Sequence, residues 1–214
     1  MKNHKSIIAS EGFLFIIPLS ILTLLALFLG FPKGAVIAFV VTLFVTWFFR
    51  NPEIKTPEEK GVVVSPADGK VIRIGNVHED DLLHGAFIKI SIFMNVFNVH
   101  VNRIPYSGTV KAIRYKKGRF ISANLDKASS LNEQNAIVIV TEDGQEILTV
   151  QIAGLIARRI VCWIKEGMRV ERGNRLGLIR FGSRLDIYLP PESIIMVKIG
   201  DKVKAGETVL GALL

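Results

Sequence analysis

Gly167-Met168-Arg169-Val170-Glu171-Arg172-Gly173 and Gly200-Asp201-Lys202-Val203-Lys204-Ala205-Gly206 are two copies of one pattern, G-x-x-V-x-x-G. An apolar residue and a glycine follow each copy, Leu176-Gly177 and Leu210-Gly211. The bounding glycines supply tight turns, and the central valine is placed to fill a core between them. Upstream, short β-branched runs recur at Val62–Val64, Val71–Ile74, Phe87–Phe93, Thr109–Tyr115, Ile137–Thr141 and Glu146–Ile152. Turn signals separate them, at Pro66-Ala67-Asp68-Gly69, Tyr106-Ser107-Gly108 and Glu142-Asp143-Gly144. The reading is a mainly β domain, with room for a helical turn only around Leu82-Leu83-His84 or Asp126–Leu131.

The repeat spacing resembles the barrel-sandwich halves of biotinyl and lipoyl carriers, which makes a barrel-sandwich-like domain the expected architecture. Lipoyl carriers place their modified lysine in an Asp-Lys-Ala tip, and Asp126-Lys127-Ala128 is present. It lies far from the glycine repeats rather than at a hairpin between two halves, so it reads as a chance match.

The N-terminal part is of another kind. Half of the 214 residues are hydrophobic, and charge is nearly absent between Gly12 and Phe49. This excludes a disordered chain and a uniformly soluble one. Gly12 to Gly30 is uncharged over 19 positions, roughly 28 Å of helix against a hydrocarbon core of about 30 Å. Phe31-Pro32-Lys33-Gly34 breaks the run, and a shorter one, Ala35 to Phe49, follows. A membrane helical hairpin over residues 1–50 is expected, then a polar linker over 51–60 and a β domain over 61–214. Lys2 and Lys5 precede the hairpin and Arg50, Lys55 and Lys60 follow it, against Lys33 in its turn. The positive-inside rule then puts both ends, and the β domain, on the cytoplasmic side of the cell membrane. A cleaved signal peptide is disfavoured by the second apolar run and the lack of a small-residue cleavage site.

A single cysteine, Cys162, excludes an internal disulfide framework, and four histidines without ligand spacing disfavour a zinc site. The formal charge of +8 points to an anionic partner. Eight Lys and Arg lie between Gly154 and Arg184 against Glu166 and Glu171, a candidate patch for anionic lipid or else a solvated face. No nucleic-acid motif accompanies it.

Three polar features sit among apolar strands. Asp68 lies in the Asp-Gly turn entering a strand, where turn chemistry alone would explain it. His100 lies in Val96–Pro105, where alternation puts Asn98, His100 and Asn102 on one face; that face is a plausible site wall or a locally satisfied histidine. Gly182-Ser183 joins two apolar runs, Leu176–Phe181 and Leu185–Leu189. It reads as a turn, or as a junction where an unshielded glycine carbonyl is open to the next hydroxyl.

Together these residues resemble the short bacterial and archaeal form of phosphatidylserine decarboxylase. The resemblance rests on Ser65–Gly69, Phe97–Pro105, Asn124–Ser129, Asn132-Glu133 and Phe181-Gly182-Ser183. It implies self-cleavage between Gly182 and Ser183 into a large chain, 1–182, and a small chain, 183–214. Ser183 becomes a covalent pyruvoyl group, which forms a Schiff base with phosphatidylserine, releasing CO₂ and phosphatidylethanolamine. Asp68 matches the aspartate of the self-cleavage triad and His100 a catalytic acid–base histidine. Longer members carry a second histidine where Arg103 stands and a small hydroxyl residue where Arg184 stands. The expected partners are phosphatidylserine, an anionic membrane surface and the sister chain of the same precursor, with a homo-oligomer open. Two other readings keep parts of this pattern: a non-enzymatic membrane-anchored adaptor, and a pyruvoyl decarboxylase of a soluble amino acid.

Overall fold

The computed structural model describes residues 6–118, 131–154, 159–180 and 182–214. The chain divides into two compact units, Met1–Glu53 and Ile54–Leu214.

The first unit holds helices α1 (Phe13–Phe28) and α2 (Pro32–Phe48). Gly30, at φ +76°, turns the chain out of α1, and Pro32 starts α2 where its missing N–H has no intrahelical partner to lose. The helices pack along Ala35, Ala38, Thr42 and Val45, a stripe of mostly small residues that lets backbones approach. Thr23, Thr42 and Thr46 donate their hydroxyls to carbonyls four residues back, each at 2.8 Å, so these side chains need no water. Leu14, Ile17, Val36 and Ile37 are all more than half exposed. Short backbone bonds close the open end, with Ala9 N–H donating to the Phe49 carbonyl at 2.8 Å and Asn51 N–H to the Ile7 carbonyl at 2.7 Å. Ser10–Phe28 is long and apolar enough to cross a membrane, at mean hydropathy 2.2 over 19 residues; α2 is shorter.

The second unit is β. Its strands are β1 (Val62–Val64), β2 (Gly69–Glu79), β3 (Gly85–Met94), β4 (Val101–Arg103), β5 (Gly108–Lys116), β6 (Gln134–Val140) and β7 (Glu146–Ala153). There follow β8 (Ile160–Cys162), β9 (Arg169–Val170), β10 (Arg175–Ile179), β11 (Ser183–Leu189), β12 (Ile194–Ile195), β13 (Lys202–Val203) and β14 (Val209–Ala212). Eight form an antiparallel sheet in the order β13-β2-β3-β11-β7-β6-β5-β9; two three-stranded sheets, β1-β14-β12 and β4-β10-β8, complete the unit. All seven residues of β11 are buried. Leu185, Ile187 and Leu189 pack with Val71, Ile90, Ile92 and Met94 on one face; Arg184, Asp186 and Tyr188 alternate onto the other. Around Leu82-Leu83-His84 the chain bends at Asp81–Leu83 and makes no helical turn, and Leu83 plugs that second face beside Tyr188 and Ile152.

The glycine repeats close this architecture. Val170 lies in β9 and Val203 in β13, the two edges of the eight-stranded sheet, and both are buried. Gly167, Gly173, Gly200 and Gly206 all have positive φ, from +73° to +101°. A Cβ built on Gly206 would lie 3.5 Å from the Cα of Gly173, so the sheet curls until its edges almost meet. Arg103 Nη1 donates to the Gly173 carbonyl at 3.2 Å in that seam. Ile54 and Thr56 cover Gly206 and Gly173, and Arg172 holds the same segment through the carbonyls of Pro57 and Val62, both at 2.7 Å.

Candidate active site

The site is built where the chain passes from one sheet to another. β10 belongs to a three-stranded sheet and β11 to the centre of the eight-stranded one. Gly182-Ser183 is therefore a crossover between sheets and not a hairpin turn within one. Gly182 has φ +72° with open space where a Cβ would be. Ser183 is already strand, paired with Met94 of β3 and Ala153 of β7, and is wholly buried. Its hydroxyl donates to Met94 Sδ at 3.3 Å, a weak acceptor that leaves the oxygen's lone pairs for other work.

His100 reaches the same junction from the residue before β4. Its Nδ1 lies 3.0 Å from the Asn98 carbonyl, a contact that requires the proton on Nδ1 and leaves Nε2 an acceptor. Nε2 faces the Gly182 N–H at 3.4 Å, which fits that tautomer. The ring is buried, 2% exposed. Asp68 lies in the turn between β1 and β2. Its Oδ2 accepts from the Val99 N–H at 3.3 Å and its Oδ1 from the Ala205 N–H at 2.8 Å. The carboxylate thus ties the residue before His100 to the second glycine repeat. These hydrogen bonds go to backbone amides, so it fixes where the His100 ring stands through the chain.

A row of buried amides runs into the junction from the side. Asn135 Nδ2 donates to Gln151 Oε1 at 3.0 Å, and Gln151 Nε2 to Asn102 Oδ1 at 2.8 Å. Asn102 Nδ2 then points at Met94 Sδ, 3.7 Å away, the atom that also receives the Ser183 hydroxyl. Asn132 donates to the carbonyl of Ala153, the register partner of Ser183, at 2.7 Å. The Glu133 carboxylate accepts from the Ile160 N–H at 3.3 Å. Desolvation, then a hydrogen bond to that carboxylate, raises the pKa of Tyr115 above the ordinary phenol value.

The family model for phosphatidylserine decarboxylase matches residues 41–211. The chain is 59% identical to the phosphatidylserine decarboxylase proenzyme of Syntrophus aciditrophicus, over 98% of this chain and 99% of that one. It is 49% identical to the enzyme of the same name from Geotalea uraniireducens and 52% to that from Citrifermentans bemidjiense, over the full length of both chains in each pair. The chain belongs to the phosphatidylserine decarboxylase family.

Within this carboxy-lyase family the chain's own departures have structural roles. Arg103 faces the seam between the repeats. Arg184 is buried, with Nη2 3.0 Å from Asp186 Oδ2, and Lys89 Nζ lies 3.1 Å from the same oxygen. The run of eight basic residues is not one patch. Arg169 pairs with Glu142, Arg172 holds the 57–62 segment, and Arg184 is inside; Arg159 and Arg180 sit beside the junction, joined by a backbone hydrogen bond of 3.2 Å. Asn124–Ser129, with Asp126-Lys127-Ala128, and Phe181 and Arg158 lie outside the described residues. Met94 and Gln151 escape a reading of the sequence. A lone amide in the apolar run Ile147–Ala153 was the available sign for Gln151; a methionine in an apolar strand carries none.

Proposed function

We propose that this protein is a membrane-bound, self-processing phosphatidylserine decarboxylase whose reactive group is made from Ser183. The observation that carries the reading is the junction itself. A left-handed glycine, a buried serine hydroxyl on a weak acceptor and a histidine Nε2 meet at one peptide bond. Ser183 Oγ adds to the Gly182 carbonyl carbon, the Gly182–Ser183 C–N bond breaks, and an ester joins the two residues. Loss of the Ser183 α-proton expels Gly182 as a carboxylate and leaves a double bond at the head of residues 183–214. Tautomerisation and addition of water release ammonia and leave a pyruvoyl group. The open space at Gly182 and the absence of a strong hydrogen-bond acceptor on Ser183 among the described residues fit that conversion.

The pyruvoyl ketone supplies an electrophile for the substrate amine and an electron sink for the pair left by CO₂. This chain's residues do the rest. His100 Nε2 is the acid–base group, taking the hydroxyl proton during cleavage and later returning a proton to the substrate carbon. Asp68 positions it through Val99. The amide row holds the junction rigid and dry, which strengthens each electrostatic contact there.

The apolar hairpin supports a membrane location, with residues 1–50 as anchor, 51–60 as connector and 61–214 as catalytic domain on the cytoplasmic face. A two-tailed lipid does not leave a bilayer readily, at about 0.8 kcal/mol per exposed CH₂, so the enzyme is held at its substrate. Intact mass of the purified protein tests the proposal. Two chains, 1–182 and a 183–214 fragment bearing pyruvate in place of serine, are expected. Ser183→Ala should stay one chain without activity, and CO₂ release by that variant would refute the reading.

A further inference from the structure

Two hydrogen-bond donors converge on one sulfur atom beside the Gly182–Ser183 peptide. Met94 Sδ receives the Ser183 hydroxyl at 3.3 Å and the Asn102 Nδ2 amide at 3.7 Å. A thioether has lone pairs and no proton to give, so the Asn102 group that faces it is the NH₂. The rest of the amide row agrees with that orientation. Asn102 Oδ1 accepts from Gln151 Nε2 at 2.8 Å, and Gln151 Oε1 accepts from Asn135 Nδ2 at 3.0 Å. The row therefore has a direction, with oxygens turned back along it and an N–H turned out of it at the junction.

Burial makes that end of the row consequential. Asn102 and Gln151 are wholly buried and Asn135 nearly so. They stand on β4, β7 and β6, strands of two different sheets, so the row is held from both sides. The Asn102 and Gln151 oxygens each accept a good amide N–H. Among the described residues, Asn102 Nδ2 meets only the sulfur, a weak acceptor. A desolvated N–H with so weak a partner gains most when negative charge appears beside it, and it needs no reorganisation at that moment.

We propose that Asn102 Nδ2 donates to the Ser183 Oγ atom as that oxygen leaves with Gly182 in the second step of self-cleavage. The inference rests on the self-processing reading and adds to it the group that stabilises the leaving oxygen. In the ester, Oγ bridges the Ser183 Cβ and the Gly182 carbonyl carbon. A base removes the Ser183 α-proton, and that electron pair forms the Cα–Cβ double bond. The Cβ–Oγ bond breaks, and its pair departs on the oxygen as part of the Gly182 carboxylate. Nδ2 and Oγ border the same sulfur, so the N–H exchanges a thioether for an anionic oxygen while its strand stays in place. Ester formation makes no such demand, because its charge develops on the Gly182 carbonyl oxygen and Oγ enters the ester neutral.

The test uses the full chain with Asn102→Leu, incubated with and without hydroxylamine and read by intact mass. Pyruvoyl formation should fall about 10²-fold or more, the usual loss when one preorganised donor is removed. Hydroxylamine attacks the Gly182 carbonyl carbon of the ester through its nitrogen and frees Oγ as a hydroxyl. It should therefore still split the variant, into 1–182 ending in a hydroxamate and 183–214 beginning with an intact serine. Ser183→Ala, which cannot form the ester, sets the background. Asn102→Leu leaves the Gln151 N–H unpaired; should it not fold, Asn102→Leu with Gln151→Leu removes both partners and carries the same expectation. Pyruvoyl formation at the unmodified rate would overturn the proposal. So would a folded variant that resists hydroxylamine, since Asn102 would then serve ester formation or the fold alone. An unmodified chain that makes no pyruvoyl fragment would instead reject the self-processing reading.

Discussion

Gly182 stands at the proposed cleavage junction in a conformation that other residues adopt at a cost. A left-handed backbone costs an L-residue about 1–2 kcal/mol, yet a Cβ there would meet nothing within 4 Å. Gly182→Ala should therefore fold, and it should cut itself more slowly because the methyl group shields the carbonyl. A time course on denaturing gels reads this, and a processing rate equal to that of the unmodified chain would deny Gly182 its role. His100→Ala should lower decarboxylation by about 10²–10⁴-fold, the usual reach of a positioned acid–base group, measured on chain already cut. Asp68→Asn replaces one acceptor oxygen with a donor that faces a backbone N–H. It should lower the melting temperature and delay processing together, because both amide contacts hold the His100 segment. Ser183, His100 and Asp68, the residues proposed for the reaction, stand out in the sequence since each is a polar residue set in apolar runs. Met94 and Gln151 are not, since their part depends on which strands lie side by side, and β3, β7 and β11 come from distant parts of the chain.

Among elements, the glycine repeats carry the sharpest test. Alanine at Gly167 or Gly200 meets open space and should cost only the left-handed backbone, about 1 kcal/mol. Alanine at Gly173 or Gly206 must also displace Thr56 or Ile54, which cover the seam, and should destabilise more. Equal melting temperatures for the four variants would mean the seam does not matter. Burial, followed by the charge of Asp186, raises the Tyr188 pKa above that of a free phenol. The stability this contributes is whole below about pH 10, the free value, and falls as pH rises beyond it, since the unfolded tyrosine ionises first. Tyr188→Phe should flatten that alkaline loss. The period-two runs reveal the strands, and the repeats reveal tight turns around a core valine. That the two valines occupy opposite edges of one curled sheet is not legible, because register and curl are set by long-range pairing. The basic run misleads for the same reason: neighbours in sequence point to a seam, a core and two different ends of the sheet.

At the scale of the whole molecule, the proposed cut at Gly182–Ser183 would not separate two bodies. Residues 183–214 supply β11, between β3 and β7 in the middle of the eight-stranded sheet, and β13 at its edge. They also supply β12 and β14, two of the three strands of the sheet that contains β1. The buried Lys89–Asp186 pair would join the large chain to the small one. Neither piece keeps a closed core alone, so both should co-elute in mild detergent and part only on denaturation. Once the peptide link is gone, unfolding releases two chains, and mass action makes the midpoint depend on protein concentration. The midpoint of the processed enzyme should rise with concentration, and that of the uncut Ser183→Ala chain should not. Loss of the 183–214 fragment from native enzyme would contradict the interwoven topology; a concentration-independent midpoint in the cut enzyme would mean its chains unfold without separating.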